Sequence, residues 1–137
     1  MNLPLNIDLK DKVAVVTGGG GILCSSFAKA IASSGAKVAV LDLNEEAANK
    51  VADEIVKDGG VAIGIKTNVL DKKSLEDAKK IVNEKLGTVD ILINGAGGNN
   101  ARANTDNEFF HNEDLGKMKT FFDLDRKSTR LNSSHAL

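Results

Sequence analysis

A chain of 137 residues with 18 basic and 19 acidic side chains carries a net charge of -1, which leaves no basic excess to drive binding to nucleic acid or to an anionic membrane. Its 42% hydrophobic and 27% charged residues are those of one globular domain, not of a disordered chain. One cysteine and two histidines exclude an internal disulfide and argue against a dedicated zinc site, and the absence of tyrosine and tryptophan removes any phenolic acid or base from this chain.

The first residues, Met1 to Asp8, lack the basic and apolar regions of a signal peptide. No apolar run approaches the roughly 18 residues of a membrane helix. With a single cysteine, the expectation is a reducing cytoplasm. Val13 to Val16 is a short apolar run that ends in Thr17 and four glycines. The spacing then predicts a helix over 22–34 with Phe27, Ala28 and Ile31 on one face, closed by Gly35. Lys37 to Leu41 reads as a second strand, ended by Asp42. Asn44 is a good N-cap, and Glu45 and Glu46 suit the helix dipole. Ala47, Val51 and Ile55 continue that helix to Gly59 and Gly60.

A third strand is predicted over Val61 to Lys66. Asp71 caps another helix, with Leu75, Ala78, Val82 and Leu86 facing the core and Gly87 as the stop. Val89 to Ile93 is the fourth strand, ending at Asn94-Gly95-Ala96-Gly97. Strands alternating with helices over short connections, with near-continuous apolar character, predict an α/β domain with a parallel sheet and right-handed crossovers. Residues 98–123 read as an Asn- and Asp-rich loop with room for a short helix, and 126–137 show no periodicity.

Strand, Thr17-Gly18-Gly19-Gly20-Gly21, then helix is an arrangement that binds a dinucleotide pyrophosphate. Glycines let the backbone approach the phosphates, and the amides and positive end of the following helix hold the charge. A plain strand-to-helix turn is the competing reading of the loop alone. Asp42 lies about 20 residues further on, where an acid can accept hydrogen bonds from ribose hydroxyls; by itself it could equally be a helix cap. Asn68 and Val69 end the third strand, where an adenine would lie. The Asn94 to Gly97 turn ends the fourth. All four features fall at the carboxyl edge of the sheet, where open parallel sheets bind ligands.

Those residues resemble the short-chain dehydrogenase/reductase family over about 8–124. The matching text is Lys12-Val13-Ala14-Val15-Val16-Thr17-Gly18, then Asp42, Asn68-Val69 and Asp90 through Gly97. The resemblance implies a Rossmann-type doubly wound sheet, incomplete, with about four strands in the order 3-2-1-4, and NAD as cofactor. It implies a cofactor site of Thr17, Gly18, Gly19, Gly20, Gly21, Ile22, Leu23, Asp42, Leu43, Asn68, Val69, Asn94, Gly95, Ala96 and Gly97.

The family's usual loop, Thr-Gly-x-x-x-Gly-x-Gly, would place its later glycines at Ile22 and Cys24 when counted from Thr17. Counted back from the helix, Gly21-Ile22 matches its Gly-Ile, with the loop one residue shorter. The family's Asn-Asn-Ala-Gly reads Asn94-Gly95-Ala96-Gly97, and its usual Asp before Val is Asn68. The glycine run into Ile22-Leu23, with Gly97-Gly98-Asn99-Asn100, Thr105 to Phe110 and Thr120 to Asp123, is similar to a branch of sugar-acid oxidoreductases of the D-mannonate oxidoreductase (fructuronate reductase) kind.

The family's proton transfer is carried by a Ser and a Tyr-x-x-x-Lys helix that follow a fifth strand. With no tyrosine here, the resemblance carries over no catalytic residue. It implies the N-terminal part of an NAD-binding domain over 1–124, from an oxidoreductase acting on a carbonyl or secondary alcohol and assembling as a homo-oligomer. A non-catalytic dinucleotide-binding module is the alternative. Residues 125–137 resemble a translated sequencing adapter more than a natural basic tail. Cys24 could be redox-active at a helix N-terminus, but reads better as a small residue in a tight helix–strand contact. His111, among acidic and amide side chains, reads as part of a solvated loop rather than a metal ligand.

Overall fold

The computed structural model of the protein describes residues 7–98. Strand β1 (Val13–Thr17) is followed by helix α1 (Ile22–Ser33), β2 (Lys37–Asp42), α2 (Glu45–Lys57), β3 (Val61–Lys66), α3 (Lys72–Lys85) and β4 (Ile91–Asn94). All strands are parallel, as the alternation of strands and helices predicts, and they lie in the order β3-β2-β1-β4 that the family resemblance implies. The loop expected beyond Gly98, including His111, and the tail expected over 125–137 lie outside the described residues.

Sequence periodicity sets the layers. Side chains alternate across a strand, so Ala14, Val16, Val38 and Val40 face α1 and α2 with Ala28, Val51 and Ile55. Val13, Val15, Ala39, Leu41 and Ile65 face the other side, with Ala78, Val82 and Leu86 of the α3 segment. The five residues of β1 are all buried, because β1 is flanked by strands on both edges and by helices on both faces. Each such Val or Leu contributes about 1.5–3 kcal/mol of hydrophobic stabilisation. The outer strands are less covered: Ile91, Leu92 and Ile93 of β4 are only half-buried.

The helix ends follow the capping rules. Asn44 accepts from the Ala47 amide, and Asp71 from the Lys73 amide. Gly35, Gly59 and Gly87 carry positive φ after the three helices. On the surface between α1 and α2, Lys29 pairs with Glu54 and holds its carboxyl below the ordinary glutamate range.

Two expectations are corrected. Phe27 is 42% exposed; the buried face of α1 is Cys24, Ala28 and Ala32. These small residues form the face that packs on β1 and β2. The fourth strand begins at Ile91, not Val89. Asp90 precedes it and fixes its start: the Asp90 amide donates to the Val13 carbonyl, and the Asp90 carboxylate accepts from the Val13 amide at 3.0 Å. That hydrogen bond, with Lys12 nearby, holds the Asp90 carboxyl below the ordinary aspartate range.

Candidate functional site

The register brings the carboxyl ends of the strands level: Thr17 lies beside Leu41 and Asn94, and Asp42 beside Lys66. A cleft of about 500 Å³ opens at this edge. Its walls come from the β1–α1 turn, the end of β2, the segment after β3 and the turn after β4.

The β1–α1 turn is shaped by close backbone approaches. Gly18 has φ of +64°, and a Cβ there would lie 2.7 Å from the Gly95 carbonyl. Only glycine meets both conditions without strain. The Gly19 amide donates to the Leu41 carbonyl and the Gly21 amide to the Gly18 carbonyl. Gly21 is the N-cap of α1, with no side-chain cap and no acidic residue in the first turn. The first-turn amides of a helix have no acceptor within it. Here they meet the cleft wall formed by Gly21, Ile22, Leu23 and Cys24, which leaves the positive end of the helix dipole for an incoming anion.

Thr17 is buried and ties the two central turns together. Its Oγ1 accepts from the Gly95 and Ala96 amides, both at 3.2 Å. The Cys24 thiol packs on the same turn, 3.9 Å from the Gly95 carbonyl oxygen. Burial and the Asp42 carboxylate push this thiol above its ordinary pKa, so it stays protonated and inert at neutral pH. This supports a packing role for Cys24 over a redox one.

Asp42 is not the cap of α2, which is Asn44. One carboxylate oxygen accepts from the Gly20 amide at 3.0 Å, the other from the Asn44 amide at 2.9 Å. It therefore braces the glycine turn and the approach to α2. It also lines the cleft, where each oxygen has a further lone pair for a ligand hydroxyl. Asn68 holds the turn after β3, accepting from the Leu70 amide while its own amide donates to Ser74 Oγ.

The family model for short chain dehydrogenases matches residues 12–136. This chain belongs to the short-chain dehydrogenase family. An uncharacterized oxidoreductase of Haemophilus influenzae is 51% identical over 127 residues, covering 92% of this chain and 44% of that protein. The 7alpha-hydroxysteroid dehydrogenase of Escherichia coli K12 is 40% identical over 93 residues, covering 68% of this chain and 36% of that enzyme. A solved Haemophilus structure, described as a candidate D-mannonate oxidoreductase with bound NAD, superposes with a TM-score of 0.88 at 42% identity, covering 96% of this chain and 51% of its own. The chain thus spans between 36% and 51% of the length of these relatives.

Of the residues expected from the short-chain dehydrogenase motifs, Gly18, Gly21, Ile22, Leu23, Asp42, Leu43, Asn68, Val69, Gly95, Ala96 and Gly97 line the cleft. Thr17, Gly19, Gly20 and Asn94 stand behind it or beside it. Thr17, Gly19 and Gly20 act through the hydrogen bonds they make to the Gly95–Ala96 turn, to β2 and to Asp42. Cys24, Thr67, Leu70 and Gly98 also line it. Their signal was adjacency: each lies within one residue of a motif position. Among the described residues there is no group of acidic, histidine or cysteine side chains able to hold a metal ion, and no helix long and apolar enough to cross a membrane.

Proposed function

We propose that the cleft binds NAD, and that the chain is the cofactor-binding part of an oxidoreductase acting on a carbonyl or secondary alcohol, with a sugar acid as the substrate class. The observation that carries this is the uncapped N-terminus of α1 opening on a cleft floored by glycine backbone. A Cβ at Gly18 or Gly95 would meet the opposite turn, so glycine at both positions lets the two turns that border the cleft pack against one another. The α1 end and Gly18 would hold the pyrophosphate, Asp42 the adenosine ribose, and Asn68 and Val69 the adenine. Exposed Ile22 and Leu23 give the nicotinamide end an apolar wall.

Bound NAD supplies a hydride acceptor for an alcohol or, when reduced, a hydride donor for a carbonyl. The NAD and the sugar-acid substrate are supported by the description of the Haemophilus structure. A cytoplasmic homo-oligomer is the proposed setting, on composition and family resemblance.

Calorimetric titration of the chain with NAD tests the reading. Saturable one-to-one binding is expected, and no heat beyond dilution would overturn it. The absence of tyrosine favours a second reading for this chain taken alone, a dinucleotide-binding module without chemistry. Binding without turnover is its signature.

A further inference from the structure

Gly95 is touched from three directions by the β1–α1 segment. Thr17 Oγ1 accepts from its amide, Gly18 approaches its carbonyl, and the Cys24 thiol lies against it. A Cβ built on Gly95 would collide first with Cys24 Sγ and then, at 2.8 Å, with the Thr17 carbonyl; Cys24 Cβ would stand 3.4 Å away, an acceptable contact. The sulfur therefore occupies the space that any side chain at position 95 would need. Both residues line the cleft, Cys24 from α1 and Gly95 from the turn after β4. Gly95 is also a position at which the sequence departs from the motifs quoted above.

We propose that Cys24 and Gly95 are a size-matched pair that sets the distance between the α1 wall and the β4 wall, so that Cys24 is a positioning residue for the dinucleotide. The inference rests on the NAD reading of the cleft. Its physical basis is close packing. Removing the sulfur leaves the Gly95 turn without lateral support on the α1 side. Adding a Cβ at 95 pushes the walls apart. Either change moves the backbone that would meet the pyrophosphate.

Three variants of the full chain, Gly95→Ala, Cys24→Ala and the double, test this with NAD as the probe. Alanine at 24 keeps helix propensity and removes only the sulfur. Dissociation constants are read by calorimetry well below every melting temperature, where lost stability alone does not change affinity. Gly95→Ala is expected to weaken NAD binding about tenfold, by displacing backbone that meets the dinucleotide. Cys24→Ala alone is expected to weaken binding as well, yet to strengthen it in the Gly95→Ala background. That rescue is partial, since the Thr17 carbonyl still crowds position 95.

This reversal of sign is the result expected of a matched pair. Additive effects, or a Cys24→Ala variant whose NAD affinity is unchanged, would overturn the positioning role. If Gly95→Ala does not fold, the Cys24→Ala affinity decides. If the unsubstituted chain does not bind NAD, the cofactor reading fails and the positioning role fails with it, while melting temperatures of the same variants still decide the size match: a sign reversal upholds it and additivity rejects it.

Discussion

At Thr17 one buried hydroxyl oxygen serves two amides of another turn, 78 and 79 residues away in the chain. Thr17→Val keeps the shape and removes the acceptor. The expected loss is about 1–3 kcal/mol, or a fall of several degrees in Tm for a domain of this size, measured by thermal melting. Asp42 carries a different expectation. A carboxylate facing the ribose favours hydroxyls over a 2′-phosphate, and Leu43, Asn44, Glu45 and Glu46 offer no cation to offset repulsion. NAD should bind at least about tenfold more tightly than NADP, since hydrogen bonds to a charged group contribute about 1.5–3 kcal/mol. Asp42→Asn should narrow that ratio. Equal affinity for the two cofactors in the unsubstituted chain would remove Asp42 from the proposed site.

The start of β4 makes the corresponding case for an element. Asp90 joins β4 to β1 through the Val13 amide, with its carboxyl held below the ordinary aspartate range by that bond first and by Lys12 second. A depressed carboxyl pKa stabilises the fold fully above the unfolded value, and that stabilisation is lost as pH falls through the lower folded value. Asp90→Ala should therefore melt below the parent at neutral pH, with the gap narrowing below about pH 4. A gap that is constant with pH would mean the ionised carboxylate contributes nothing.

The same strand shows what the sequence conveys. The α/β alternation, the parallel sheet and the caps Asn44 and Asp71 are legible, because they depend on local spacing and on one handedness rule, whereas the strand order comes from the family resemblance. The sequence run from Val89 looks like strand throughout, but hydrogen bonding to β1 begins only where Asp90 turns the chain. Phe27 illustrates another limit. Its place in the helical period is plausible, yet distance to the sheet decides which face packs, and Cys24, Ala28 and Ala32 permit the closer approach. The meeting of Cys24, Thr17 and Gly95 is not legible either. It depends on the register between strands far apart in the chain.

For the whole molecule, the described sheet has two outer strands, and β4 presents a short apolar edge of Ile91, Leu92 and Ile93. Among the described residues no strand pairs with its outer side. Such an edge recruits other chains, and net domain stability of about 5–15 kcal/mol leaves little reserve. The purified chain is expected to self-associate as concentration rises, measured by size-exclusion chromatography with thermal melting. A sharp monomer peak and one cooperative transition at every concentration would contradict this. It is also expected to show no turnover of NADH with a sugar-acid ketone, since the chain has no tyrosine and loss of a general acid–base alone typically costs about 10²–10⁴-fold.

The central position of β1 also bears on how the chain is made. β1 leaves the ribosome first, pairs with β2 on one side, and waits on the other for a partner whose anchor, Asp90, lies 77 residues beyond Val13. At translation rates of about 5–20 residues per second, the interval is roughly 4–15 seconds. Throughout it, the most fully buried of the described strands, Val13–Thr17, has one open flank. Contacts of such long sequence separation also make folding slow. Slowing translation downstream of β3 would lengthen this exposure, and speeding it would shorten it, without changing a residue of the protein.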